Sequence, residues 1–259
     1  MAITLRSRRE IDLMRRAGAV VADVLSKLQE VAEPGVTTGR LNEIALQITA
    51  DAGAEALFKG VRNPRALIPF PGAICASINE QVVHGIPSDN IKLKQGDILS
   101  IDFGVRLNGY CGDAAVTFGI GEISQDKRRL TDVTRQVLDI AIARAKPAVK
   151  WSRIAGQMQD YAESAGFSVV RDFVGHGIGR YMHEEPRVPN FVSEELLADD
   201  IILAEGMVLA VEPMINAGSA AVRTLKDGWT VVTKDGKCSA HFEHTIAITK
   251  NGCEVLTKK

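Results

Sequence analysis

The sequence predicts an α+β fold made of duplicated half-domains with pseudo-twofold symmetry, an antiparallel sheet covered by four helices. Three observations predict it. The order helix, helix, β-rich block occurs twice along the 259 residues, with no low-complexity linker between the two runs. Each β-rich block consists of short alternating runs bounded by turn residues, a pattern that places antiparallel strands on one side and helices on the other. The composition, 46% hydrophobic and 24% charged, suits a chain able to bury a sizeable core and excludes a disordered one. The expectation is one domain spanning residues 1–259, with half-repeats at about 5–120 and 121–255 and no separate N-terminal domain.

The elements follow in chain order. Ile11, Met14, Val21, Val24, Leu25, Leu28 and Val31 recur at helical spacing, which predicts a helix over residues 8–32 stopped by Pro34-Gly35. Thr37 or Thr38 caps a second helix carrying Leu41, Ile44, Ala45 and Ile48, with Gly53 at its end. Turn-rich strand sequence runs from about Phe70 to Ile120. Ser124 then caps a third helix through Leu130, Val133, Val137, Leu138 and Ala141, ended by Pro147. A fourth carries Trp151, Ile154, Met158, Tyr161 and Ala162 and ends near Gly166, before a second β-rich block. The strings Val82-Val83-His84-Gly85-Ile86-Pro87 and Val174-Gly175-His176-Gly177-Ile178-Gly179 share His-Gly-Ile, their histidines 92 residues apart, and with the repeated element order suggest the same duplication.

Charge and composition exclude several classes of partner. Lys plus Arg is 31 and Asp plus Glu is 32, a net charge of -1, so no global basic field recruits nucleic acid or an anionic membrane. No apolar run reaches the ~20 residues of a membrane helix; the stretch Ile201–Ile215 is broken by Glu205, Gly206 and Glu212. The segment MAITLRSRREID has no apolar h-region, so no signal peptide is expected. Cys75, Cys111, Cys238 and Cys253 are scattered without a CxxC pair, which reads as free thiols in a reducing cytoplasm.

Four acids sit inside apolar strands. Asp102 alternates with Ile101 and Phe103 and points opposite the apolar face; Asp113 shares a face with Ala115 and Thr117. Glu212 lies in MVLAVEPMI on the face of Val208 and Ala210, and Glu243 in SAHFEHTIAIT on the face of His241 and Thr245. A buried carboxylate is costly unless paired, hydrogen-bonded or bound to metal. A solvent-facing carboxylate on an open sheet face fits any one of these acids better than it fits all four. Of the five histidines, His84 and His176 lie in Gly-rich turns beside strands, and His183 follows His176 by seven residues. His241 is placed to support Glu243 from the same face, while His244 points the other way and is structural. One imidazole with four carboxylates is an oxygen-rich set, suited to two divalent ions rather than one tetrahedral zinc. Two such ions can hold a shared hydroxide and polarise a carbonyl in hydrolysis.

The strings Cys75-Ala76-Ser77-Ile78-Asn79-Glu80-Gln81-Val82-Val83-His84-Gly85-Ile86-Pro87, Asp102-Phe103-Gly104, Gly109-Tyr110-Cys111-Gly112-Asp113, Gly175-His176-Gly177-Ile178-Gly179, Glu212-Pro213 and Phe242-Glu243-His244-Thr245, in this order and spacing, closely resemble the type I methionine aminopeptidases. The resemblance covers essentially the whole chain. It implies the "pita-bread" fold of the creatinase–aminopeptidase superfamily and hydrolysis of the initiator methionine when the second residue is small. It implies two divalent ions (Mn, Fe, Co or Zn) held by Asp102, Asp113, His176, Glu212 and Glu243. Asp102 would chelate one ion, His176 and Glu212 the other, with Asp113 and Glu243 bridging. Glu212 would accept a proton from the attacking water. His183 would hydrogen-bond the scissile carbonyl, and His84 the substrate backbone beyond it, helping the leaving amine.

The methionine pocket implied includes Phe70, Cys75 and Trp229, three residues for which plain core packing is the open alternative. The implied partners are nascent polypeptide N-termini near the ribosome, with no direct nucleic-acid or membrane partner, for a monomer in the cytoplasm. This chain departs from the family pattern at Met182, where an aromatic is usual, at Val83, and over Lys59–Ile68, which is longer than the usual loop and carries an Asn63-Pro64 turn. Prolidases share the implied metal set and fold, and typically carry a further N-terminal domain.

Overall fold

Ser7 opens the first helix. Its hydroxyl accepts from the Glu10 backbone N–H while the Glu10 carboxylate accepts from the Ser7 N–H, a reciprocal cap. The computed structural model, which describes residues 3–258, continues as α1 (Arg8–Val31) and α2 (Thr38–Asp51), then β1 (Glu55–Ala56), β2 (Cys75–Ile78), β3 (Gln81–Val83), β4 (Ile98–Leu107) and β5 (Tyr110–Gly119). The second run is α3 (Gln125–Arg144), α4 (Trp151–Ser164), β6 (Ser168–Val169), β7 (Gly175–Gly177), β8 (Glu184–Val188), α5 (Glu194–Ala198), β9 (Val208–Val211) and β10 (Met214–Asn216). It closes with β11 (Val222–Thr224), β12 (Val231–Thr233), β13 (Ser239–His241), β14 (Glu243–Thr249) and β15 (Gly252–Val255). Thr37 and Ser124 cap α2 and α3 through their side chains, as their positions predict. Gly53 and Gly166, at φ of 64° and 82°, take the left-handed conformation that ends α2 and α4.

The antiparallel sheet and the four long helices agree with the expected class, with two differences. A fifth helix, α5, is only five residues long and is capped by Ser193. The strands form one nine-stranded sheet and two three-stranded ones, β13-β10-β6 and β11-β12-β3, rather than a single sheet. Among the described residues, no helix is long and apolar enough to cross a membrane.

The large sheet is symmetric about its middle. Its central order is β2, β4, β5, β14, β9, β7, and the halves meet where β5 pairs β14 through Glu243 with Ala115 and His244 with Ala114. Each half packs its own helices. Val21, Leu25, Leu28 and Leu41 of α1 and α2 cover Leu99, Ile101 and Phe103; Leu130, Val137, Trp151 and Met158 of α3 and α4 cover Leu209, Val211 and Ile246. Each fully buried Leu, Ile or Phe in these layers contributes ~1.5–3 kcal/mol.

The register corrects one expectation. Cys75 of β2 lies opposite Asp102, which lies opposite Ala115; His176 of β7 lies opposite Ala210, which lies opposite Thr245. So β7 stands where β2 stands in the other half, and His176 corresponds to Cys75. His84 comes after β3, past the strand equivalent to β7, and its counterpart by position is His183. The shared His-Gly-Ile strings therefore occupy different places, and the duplication is carried by topology and paired cores.

Candidate metal centre and active site

The seam between the halves is where the chemistry-bearing side chains meet. Asp102 and Asp113 come from the β4–β5 pair, His176 from β7, Glu212 from the turn between β9 and β10, and Glu243 from the first residue of β14. Gly104 lies directly opposite Asp113, and a Cβ there would stand 3.1 Å from Asp113 Oδ1 and 2.8 Å from the Met182 methyl. The glycine after Phe103 is thus what lets the second carboxylate fit. Thr245 holds the strand below: its hydroxyl accepts from Asp113 N–H at 3.0 Å and donates to Asp113 O at 2.8 Å.

His176 Nδ1 lies 2.9 Å from the Gly177 carbonyl. A carbonyl only accepts, so Nδ1 carries the proton and Nε2 presents its lone pair. That lone pair points at carboxylate oxygens, 3.5 Å from Glu212 Oε1 and 3.9 Å from Asp113 Oδ2. Neither is an ion pair, because burial and the neighbouring His183 lower the His176 pKa to about 4 and keep the ring neutral. One donor atom each of Asp113, His176 and Glu243 lies within 4.8 Å of the others. Asp102 Oδ1, Asp113 Oδ1 and Glu243 Oε1 are buried without a hydrogen-bond partner. Burial first, then repulsion from Asp113, pushes Asp102, Glu212 and Glu243 well above the ordinary carboxylate range, and burial raises Asp113 to about 7. A set of lone pairs and unsatisfied oxygens converging without a cation is self-repelling. Divalent metal ions relieve it, and the donor set fits them.

This arrangement has a measurable consequence. An acid with a raised folded-state pKa keeps its proton where the unfolded chain has lost it, so stability falls as pH rises through that window. Burial also lowers His84 and His244 to about 4, as it does His176, and this acts in the opposite sense up to about pH 6.5. Above 6.5 the carboxylates still differ, and the buried thiols, which burial also raises, act in the same sense as they begin to titrate. The metal-free protein is therefore expected to lose thermal stability from pH 6.5 to 8, by up to ~1.4 kcal/mol per pH unit for each acid still titrating. Saturating Mn²⁺ should remove the slope. Melting temperatures of chelated protein that stay flat or rise over this range would contradict it.

The ten residues read as metal-binding, catalytic or pocket residues line one cavity of about 130 Å³. On its apolar side, Phe70, Cys75 and Trp229 form a cluster separate from the two main cores. The Phe70 and Trp229 rings meet edge to face at 5.2 Å, and Trp229 Nε1 donates to Ile68 O at 3.0 Å. Burial keeps the Cys75 thiol protonated. His84 has φ of 60°, a left-handed backbone that costs a non-glycine residue ~1–3 kcal/mol and aims its ring at the cavity. Gly85 holds it there, donating to Ser77 Oγ at 3.1 Å and accepting from Ala76 N–H at 2.8 Å. His183 reaches in from the rim, its ring 4.4 Å from that of His176.

Three further residues line the cavity: Phe58, Val61 and Met182. Met182 carried a signal, as a departure from the family pattern. Phe58 is an apolar residue of no periodic run and carried none, while Val61 falls in the Lys59–Ile68 stretch already noted as a departure. Val61 belongs to the long loop, whose base is tied by Gly60 N–H to Phe70 O and Phe70 N–H to Val61 O, each 2.8 Å. The loop turns at Asn63-Pro64 as predicted, with Ala66 N–H donating to Asn63 O at 3.0 Å. His241 does not support Glu243. It is buried, and neither ring nitrogen has a hydrogen-bond partner. His244 points away, its Nδ1 2.9 Å from Thr257 Oγ1.

The geometry has close precedents. The methionine aminopeptidase of Clostridium perfringens is 49% identical over 98% of this chain and 98% of its own, and methionine aminopeptidase 1 of Bacillus subtilis is 46% identical over 99% of each. The solved methionine aminopeptidase of Thermotoga maritima superimposes with a TM-score of 0.94 at 41% identity, covering 100% of both chains. The prolidase of Pyrococcus horikoshii, at 22% identity and a TM-score of 0.77 over 98% of this chain and 63% of that one, shares the fold. Residues 12–250 match metallopeptidase family M24, and a convergent carboxylate–imidazole centre at the seam of a duplicated antiparallel fold places the chain in that family.

Proposed function

We propose that this chain is a metal-dependent aminopeptidase that hydrolyses the N-terminal initiator methionine from nascent proteins and peptides when the second residue is small. The observation that carries the reading is the adjacency of two surfaces in one cavity: a donor set fit for cations, and an apolar wall of Phe70, Cys75 and Trp229. Asp102, Asp113, His176, Glu212 and Glu243 would hold two divalent ions. When bound, the ions supply a polarised scissile carbonyl and a water acidic enough to attack at neutral pH. Everything else falls to the side chains. Glu212 takes the proton of the attacking water. His183, whose pKa burial lowers, is neutral and donates an N–H to the carbonyl oxygen as charge builds there. His84 holds the peptide backbone beyond the scissile bond. Phe70, Cys75 and Trp229 take the methionine side chain. The chain forms one catalytic domain with half-repeats at about 5–120 and 121–255, working as a cytoplasmic monomer on N-termini emerging from the ribosome.

Metal analysis combined with hydrolysis of Met-Ala-Ser tests the reading. Two equivalents of Mn²⁺ and release of free methionine are expected. A leucine after the scissile bond must fit between His84 and the carbonyl site, so kcat/KM for Met-Leu-Ser should be lower by of order 10²-fold. Equal values for the two peptides would remove the specificity claim, and an inactive metal-loaded protein would remove the function.

A further inference from the structure

The histidine assigned above to the scissile carbonyl is not held by its own ring: among the described residues, no hydrogen bond reaches the His183 imidazole. Its aim is set by the ring contact with His176 and by the short loop that carries it from β7 to β8. That loop is fastened from outside the sheet. Glu184, the next residue, accepts from Tyr181 N–H through Oε1 at 3.0 Å and pairs with the Arg6 guanidinium through Oε2. Arg6 stands just before the Ser7 cap of α1. Its backbone N–H donates to Gly206 O at 2.7 Å, and its side chain is 6% exposed. The guanidinium packs against Gly179, where any Cβ would collide with it. Gly179 O in turn accepts from Cys111 N–H at 2.8 Å. The loop is therefore pinned at its start by β5 and at its end by the segment before α1.

Stability alone does not account for this ion pair. A buried pair gains little net stability over an apolar replacement, and here Arg6 Nε is left without a partner. The pair does fix a backbone one residue from a group whose task depends on distance.

We propose that Arg6 is a positioning residue for the hydrolysis, acting through Glu184 to hold His183 at the scissile carbonyl. The proposal rests on the reading of His183 given above. Misplacing a donor by about 1 Å costs of order 10²-fold, and removing an outer partner typically costs 10–100-fold. Arg6→Met is thus expected to lower kcat on Met-Ala-Ser by about 10–100-fold, with KM nearly unchanged and two Mn²⁺ still bound. Arg6→Lys, which keeps the charge, should recover part of the loss. The deciding measurement is the double variant: in a His183→Ala background, Arg6→Met should lower kcat no further, because the group it positions is gone. Should Arg6→Met be difficult to fold, Glu184→Gln makes the same comparison with an isosteric side chain. An equal loss in both backgrounds, a loss of bound metal, or full kcat in Arg6→Met with His183→Ala impaired would each overturn the proposal while leaving the active-site reading intact. Full activity in His183→Ala would instead overturn the role of His183 and this proposal with it.

Discussion

Replacing His176 by Ala is expected to remove metal and activity together. The imidazole is the one nitrogen donor of the set, its tautomer is fixed by the Gly177 carbonyl, and its Nε2 faces Glu212 and Asp113. Losing it takes away a direct donor, so affinity should fall by more than the roughly 10–100-fold that loss of an outer partner costs. A methyl group there also leaves buried carboxylates facing one another across a wider gap. Mn²⁺ titration followed by calorimetry, with Met-Ala-Ser hydrolysis in the same buffer, checks both halves of the claim. Undiminished metal stoichiometry in this variant would show that His176 is not a ligand.

His183→Ala should behave differently although the two rings touch. All five proposed ligands remain, so two ions should still bind and the fold should hold. What is lost is one donor to the carbonyl oxygen as charge develops, typically 10²–10³ in kcat, or about 3–4 kcal/mol of transition-state stabilisation. KM should move much less, because the bond strengthens mainly beyond the ground state. Metal loss in this variant, with metal kept in His176→Ala, would reverse the two assignments.

Legibility in the sequence followed the reach of each interaction. Caps act over three residues, so those at Thr37 and Ser124 could be read directly. The five-residue α5 is too short to show a periodic face. The small sheets are built of two- and three-residue strands, some paired across long stretches of chain, such as Val83 with Val231, which no local pattern encodes. The acids stood out because a carboxylate among Ile101, Phe103, Val208 and Ala210 needs a cause wherever it lies. Phe58 did not, since an apolar residue lining a pocket reads like one in the core. His241 was misjudged because the run read as one strand breaks at Phe242, leaving His241 at the end of β13 and Glu243 at the start of β14. Arg6 carried no signal: only the folded chain brings it to Glu184, 178 residues away.

The seam of the large sheet has a consequence for how this protein matures. Each half has its own main core, and smaller clusters, such as Met14 and Tyr110 with Ile178 and Leu256, join the two. The halves meet in the large sheet through two residue pairs, yet the donor set is split across that line, with Asp102 and Asp113 on one side and His176, Glu212 and Glu243 on the other. Neither half could assemble the centre by itself. During synthesis the first half can gather its helices over its strands long before residue 243 leaves the ribosome, but cofactor loading must await docking of the second. Competence thus arrives as a late, all-or-none event, and an incompletely made chain carries no stray hydrolase.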